Sequence, residues 1–345
     1  MKNKPVKHHI APEAYLNNFA VIKDGQKSPR LHVLSRQSGK VEYDVKIKDI
    51  FYRHFYDHIG NNNRLYESAE KPLNEKVEIP GNAVISDLLD GKALKYAQTR
   101  DLARYLLIGV CRSLWFHISL RATYAERAKH HGFSIEMVPR LAHYQQVKTL
   151  RRLMGLPTIS PKLYEGDPVL DDPVLAREFQ STKVSTMDNN MRSTATLVGM
   201  QLITRKLTIY SAPKGSEFMT GDNHVIPLPT EKFEDPFKVP FAPSTEFLMP
   251  LSPSKVLFVS GMFSEESAGV SLSRKSVTAE DVKTINNTIC IFSSAHVFSR
   301  NDALLREVHN KNPFYNGKIV IVGDRDFSFF EHPKDLPQIF QKLGK

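Results

Sequence analysis

Hydrophobic and polar positions alternate early in this chain, turn helical in its middle and return to strand-like runs after residue 205. The opening His8-His9-Ile10-Ala11-Pro12 leads into an apolar stripe at Tyr15, Leu16 and Phe19. Chain ends usually fray, so packing residues this early predict a docked terminus. Between Leu31 and Tyr56 the apolar positions are Leu31, Val33, Val41, Tyr43, Val45 and Ile47, with Ser38-Gly39 between them. That alternation predicts a small antiparallel sheet turned at Ser38-Gly39.

From Asn82 to about Lys206 the apolar spacing becomes helical. It predicts one long helix over residues 96–131, stopped by Gly132, and a second over 134–154, ended by Gly155-Leu156-Pro157. Prolines at 157, 161, 168 and 173 mark a loop. Asp172-Pro173 then reads as a helix start running to about Thr204, with Asp as N-cap and Pro at the first helical position. Residues 207–210, 217–220 and 256–259 read as strands. Prolines at 227, 229, 236, 240 and 243 rule out regular structure between the last two on this reading. A helix over about 278–293 and a short buried strand at 318–322 complete the pattern. Strands, then helices, then mixed strands imply an α+β fold. We expect a single domain over residues 1–345, with a mainly helical lobe (1–205) after a small N-terminal antiparallel sheet. It packs on a strand-rich lobe with C-terminal helices (206–345).

Composition narrows the class. Of 345 residues, 41% are hydrophobic and 24% charged, ordinary values for a chain with a real core. The longest apolar run, Tyr105 to Leu120, is broken by Arg112 and His117, whereas a spanning helix needs about 20 mostly apolar residues. No membrane association is expected. The polar start predicts no secretory leader, and Cys111 and Cys290 have neither disulfide-framework nor zinc-site spacing, so a cytoplasmic protein is expected. The net charge is +10. Between residues 91 and 160, twelve Lys and Arg face only Asp101, Glu126 and Glu136. Such a surplus concentrates anions, and nucleic acid or another polyanion is the expected partner. Arg100, Arg104, Arg121, Arg127, Arg151 and Arg152 are its candidate contacts. The alternative is a solvated surface that only aids solubility.

Arg112 is the sharpest single signal. Its neighbours three and four positions away are Ile108, Gly109, Trp115 and Phe116, none of them polar in the side chain. It is expected to face the interior, where a guanidinium needs a carboxylate or an anionic ligand. Arg104 lies near the same face. Glu67, Glu70, Glu75 and Glu78 follow helical spacing, usually the mark of a solvated face. Glu78 stands apart because it precedes the apolar Ala83-Val84-Ile85 and is placed to meet a buried arginine. Gly221-Asp222-Asn223-His224 closes an apolar strand, either as a turn or as a site mounted on a strand end. His9 either serves a ligand or pins the terminus through a backbone carbonyl. His54 and His58 share a helical face with metal-like spacing but lack a flanking glutamate. No metal or other cofactor is assigned. Dinucleotide, phosphate-loop, zinc-protease and esterase motifs are absent from the sequence.

Several of these segments together resemble the family catalogued as domain of unknown function 4238. The resemblance rests on His9-Ile10-Ala11-Pro12 with Tyr15-Leu16-Asn17-Asn18-Phe19, on Glu78, and on Arg112. It continues through Thr220-Gly221-Asp222-Asn223-His224, Pro250-Leu251-Ser252-Pro253 and Asn286. Gly221 and His224 stand where the family pattern has Ser and Pro. The resemblance implies a shared fold and a residue set but no reaction.

The resulting expectation is that His9, Glu78, Arg112, Asp222 and Asn223 converge between the lobes, as a catalytic pocket or as a buried polar core. As an enzyme, the chain is expected to hydrolyse nucleic acid, with RNA favoured. Glu78 or Asp222 is then the acid–base group, His9 a second proton-transfer group and Arg112 the stabiliser of phosphate charge. Cellular conflict or phage defence is the setting suggested by analogy. The opposing expectation is a non-catalytic nucleic-acid-binding or protein-interaction module with a structural polar cluster.

Overall fold

The computed structural model describes residues 11–21, 29–36, 38–50, 58–59, 65–67, 70–156, 205–228, 245–263 and 271–311. The architecture is α+β, with a helical middle region and an antiparallel N-terminal pair of strands.

The N-terminal stripe forms a short helix α1 (Glu13–Leu16) that buries Tyr15 and Leu16 and continues into a 3-10 turn burying Phe19. The predicted hairpin is β1 (Arg30–Ser35) and β2 (Val41–Lys46). Gly39 turns it with a left-handed φ of 67°, a conformation glycine adopts without Cβ strain. β3 (His58–Ile59) and β4 (Leu65–Glu67) form a two-stranded ribbon.

The helical region opens with α2 (Glu70–Leu73), a π-helical turn over Asn74–Glu78 and α3 (Ile79–Leu89). The single helix expected over 96–131 is instead two, α4 (Tyr96–Cys111) and α5 (Leu114–His131). Ser113 is the reason: its extended backbone stops α4, and its hydroxyl accepts from Phe116 N as the N-cap of α5. Gly132 ends α5 in the left-handed region, as predicted. α6 (Val138–Leu153) then packs back on α5.

The remaining described elements are β5 (Arg205–Ser211), β6 (Thr220–Gly221), β7 (Ile226–Leu228), β8 (Glu246–Ser252), β9 (Lys255–Phe263), β10 (Ser271–Ser276), α7 (Ala279–Phe292), β11 (His296–Ser299) and α8 (Asp302–Lys311). They build a five-stranded sheet in the order β10-β5-β9-β8-β7. Only β10 and β5 run parallel; the other pairs are antiparallel. A second sheet, β2-β1-β11-β6, pairs the N-terminal strands with a strand near residue 298. Its two halves are therefore hydrogen-bonded together across most of the chain length.

Two expectations about strands change. The run 217–220 shortens to Thr220–Gly221, because Phe218 N donates to Pro253 O and Met219 N to Asn286 Oδ1. Strands do form in the interval the prolines were expected to keep irregular: β7 contains Pro227, and β8 contains Pro250, which that expectation did not count. β7 is the edge of its sheet, where a missing N–H is tolerated, and Pro250 lies beside the register shift next to the β8–β9 turn. The helix expected over 172–204 and the strand at 318–322 fall outside the described residues.

Candidate functional site

Glu78 ends the π-helical turn, and Arg112 is the C-cap of α4. The two side chains form a direct, short charge-assisted hydrogen bond from Arg112 Nη1 to Glu78 Oε1. Arg112 is only 2% exposed, while the Glu78 side chain keeps 15%. The sequence expectation that Glu78 reaches a buried arginine is met in the geometry.

Residues near this pair came from segments the sequence did not join to it. Tyr105 lies two helical turns before Arg112 on α4, and its hydroxyl donates to Asn82 Oδ1 at 3.4 Å. His224, in the β6–β7 connection, sits with its ring centroid 6.0 Å from that of Tyr105, edge to face, and 5.0 Å from that of Tyr15. Tyr15 is fastened from behind by hydrogen bonds at 2.7 Å to Pro250 O and Thr220 Oγ1. Gly109 admits the loop: a Cβ there would lie 2.7 Å from Val225 Cγ2 and 3.1 Å from His224 Nε2.

Electrostatics follow from this burial. His224 is 1% exposed, and its Nδ1 has no hydrogen-bond partner among the described residues. Burial first, and the Arg112 charge second, hold its pKa well below the ordinary histidine value, so the ring is neutral at pH 7. Burial, reinforced by the Glu78 charge, raises the Tyr105 phenol, and burial raises that of Tyr15. At the level of sequence His224 figures only as the end of the Asp-Asn loop and is left out of the converging set; its signal is a polar ring closing an apolar strand.

Asp222 and Asn223 take up a different position. Asp222 Oδ1 accepts from Ser294 N at 2.8 Å, and Oδ2 accepts from Ala295 N at 2.6 Å and His296 N at 3.3 Å. Asn223 Nδ2 donates to Phe292 O and, at 3.4 Å, to Ser294 Oγ. Arg36 donates to Ile291 O at 3.2 Å and to Ser293 O. All three side chains thus bind the backbone where α7 passes into β11. Burial raises the Asp222 pKa despite its three backbone donors. Gly221 has a steric role here: a Cβ there would lie 1.9 Å from Ser293 Oγ. Asp222 and Asn223 are therefore not drawn to the Glu78–Arg112 pair through any described hydrogen bond. His9 and His54 lie outside the described residues, as does the ring of His58.

The six arginines expected to form one basic face are divided. Arg100 is exposed, and Arg104, Arg121 and Arg127 are half-buried. Arg127 stacks over the Tyr124 ring at 5.6 Å. Arg151 is 2% exposed, and the guanidinium nitrogens of Arg152 are withdrawn from solvent. In this conformation neither guanidinium is presented at the surface. Among the described residues, no group of three His, Cys, Asp or Glu side chains is placed to hold a metal ion, and no helix is long and apolar enough to cross a membrane.

The sequence model of a family described as "Protein of unknown function (DUF4238)" matches residues 7–303. No curated protein and no solved structure matches the chain.

Proposed function

The chain belongs to the DUF4238 family, a family of unknown function, and we propose that it is an RNA-directed hydrolase centred on Glu78 and Arg112. The observation that carries this reading is the asymmetry of the pair. Arg112 is buried, but its carboxylate partner keeps an edge toward solvent. An incoming phosphodiester competes with Glu78 for the guanidinium, since both present oxygens of matching geometry. The displaced carboxylate is then free to accept a proton from the attacking hydroxyl or water. The P–O bond to the nucleophile forms as the bond to the leaving oxygen breaks, and Arg112 offsets the charge that gathers on phosphorus oxygens. The leaving oxygen takes a proton from a second group, for which His9 is the sequence candidate. His224 contributes a neutral ring with an uncommitted Nδ1 beside the same guanidinium. Arg100, Arg104, Arg121 and Arg127 are the candidates for added phosphate affinity in this reading.

A second reading, a non-catalytic nucleic-acid-binding or interaction module, is favoured by one observation: Asp222 and Asn223 spend their side chains on backbone groups. One experiment separates the two. Labelled RNA and DNA of the same sequence are incubated with the parent, Glu78→Gln and Arg112→Lys, each first shown to be folded by circular dichroism. Catalysis predicts RNA cleavage by the parent and a loss of about 10²–10⁴-fold in Glu78→Gln. Equal cleavage by parent and variant sinks the assignment of Glu78. Binding that weakens steeply with salt, without cleavage, establishes the second reading.

A further inference from the structure

Away from the Glu78–Arg112 pair, the strand-rich half holds a cleft of about 300 Å³. Three connections wall it: residues 212–217 after β5, the Pro253-Ser254 turn between β8 and β9, and Arg300-Asn301 between β11 and α8. A volume near 300 Å³ is at the small end of the range in which proteins take small ligands.

The walls are held by hydrogen bonds rather than left as loose loops. Ala212 N donates to Ser254 O at 2.9 Å and Phe218 N to Pro253 O at 2.8 Å. Asn286 of α7, fully buried, donates to Glu217 O at 2.8 Å and accepts from Met219 N at 3.0 Å. A buried amide side chain thereby fixes one wall through both its nitrogen and its oxygen. Asn301 Oδ1 accepts from Ala303 N and Leu304 N at 3.1 and 3.3 Å, fixing another. Gly215, with φ of 87°, forms the tip of the first wall.

Its chemistry is cationic. Glu217 Oε1 accepts from Arg300 Nε at 3.0 Å and Nη2 at 2.5 Å, which orients the guanidinium and leaves Nη1 uncommitted among the described residues. Hydrogen bonding to Glu217 also raises the Arg300 pKa, keeping it charged. Lys214 lines the cleft with no ion pair among the described residues, and the Ser216 hydroxyl makes no hydrogen bond there. Two cations against one carboxylate leave a positive cleft with an oriented planar donor, an exposed ammonium and a free hydroxyl. Phosphate oxygens suit that set: Arg supplies directional donors and Lys a point charge. The prolines at 213 and 253 add apolar wall for the rest of the molecule.

We propose that this cleft binds a small phosphate monoester, with Arg300 and Lys214 holding the phosphate and Ser216 completing its shell. The site is separate from the RNA-directed centre and does not depend on it.

Calorimetric titration of the full chain with ribose 5-phosphate, adenosine 5′-monophosphate, inorganic phosphate and adenosine tests this. At least one phosphate ester is expected to bind saturably with one site per chain, and adenosine not at all. Comparable affinity for both esters identifies a sugar phosphate; a nucleotide preference of about tenfold or more assigns the apolar wall to a base. Arg300→Gln and Lys214→Ala are each expected to weaken binding about tenfold, and Glu78→Gln to leave it unchanged. Lys214 is exposed, so its replacement leaves the fold intact and keeps the test valid should Arg300→Gln misfold. The proposal is overturned if neither ester binds saturably, if binding survives both cleft variants unchanged, or if Glu78→Gln abolishes it.

Discussion

Replacing Asp222 tests whether the Asp-Asn loop is a clamp, and the size of the effect follows from its hydrogen bonds. The carboxylate accepts three backbone N–H groups, from Ser294, Ala295 and His296. Asp222→Asn preserves shape but keeps one oxygen. At best it retains the two bonds at the Oδ2 position and turns an NH2 group toward Ser294 N. Losing one hydrogen bond to a charged acceptor costs about 1.5–3 kcal/mol. Asp222→Ala leaves three buried donors unmet, roughly 3–9 kcal/mol before the relief from removing a buried carboxyl group. The Ala variant is therefore expected to lose at least twice what the Asn variant loses. Urea midpoints followed by circular dichroism give the global cost, and hydrogen exchange over 292–299 should show faster exchange at the three amides. The pH sign is also fixed. Because the folded-state pKa of Asp222 is raised by burial, its linked stability is fully present below the ordinary carboxylate value. That contribution is lost as pH rises through the folded value, so the gap between parent and Asn variant narrows toward neutral pH. An Asn variant within about 0.5 kcal/mol of the parent, with unchanged exchange at 294–296, would refute the clamp.

Gly221→Ala should cost about 1–3 kcal/mol by overpacking, and Ser293→Ala in the same chain should restore part of it, since Ser293 Oγ is the atom in the way; additive losses in a double-mutant cycle would contradict this. Gly109→Ala drives a methyl against Val225 and His224 and should lower both thermal midpoint and RNA cleavage; an unchanged midpoint would show that the helix and loop are not in contact. His224 has a lowered folded-state pKa, so the unfolded chain binds the extra proton and stability falls as pH drops through about 6.5 toward the folded value. Midpoints between pH 5 and 8 should flatten in His224→Gln, and a slope equal to the parent's would assign the titration elsewhere. Gln146→Leu removes donors to Cys111 O and Ser113 O and should destabilise by about 1–3 kcal/mol, read from urea midpoints; a cost below about 0.5 kcal/mol would mean that those carbonyls find other partners.

Local spacing carried the buried arginine and its partner. A guanidinium following the apolar Ile108 and Gly109 calls for a carboxylate or an anionic ligand, and Glu78 supplies the carboxylate. The hairpin and the left-handed glycine stop were legible for the same reason: each depends on neighbours within a few residues. The role of Asp222 was not, because its donors lie more than 70 residues away and nothing near it names them. The strand at 217–220 shortened for a related reason: the amides of Phe218 and Met219 go to a turn and to an asparagine from distant segments. Charge counting treats every arginine alike, whereas α6 turns Arg151 inward.

The break between α4 and α5 had a signal, and its consequence reaches the site. Apolar residues at helical spacing lie on both sides of Arg112-Ser113, so they concealed the stop; Ser113, a preferred N-cap residue, marked it. Breaking a helix in the core frees carbonyls that must find donors. Gln146, fully buried on α6, donates to Cys111 O at 3.0 Å and Ser113 O at 3.3 Å. Its own Oε1 accepts from His117 Nδ1 at 3.1 Å, and the Ser113 hydroxyl caps α5. The corner is thus hydrogen-bonded from both following helices. Arg112 occupies that corner, and a residue at a fixed corner points a long side chain in one direction with little freedom to retreat. A straight helix would place Arg112 in the middle of a packed stripe with the next turn's Trp115 and Phe116 stacked beyond it. The break instead ends the stripe at the guanidinium, which leaves Glu78 and the His224 loop to close around it.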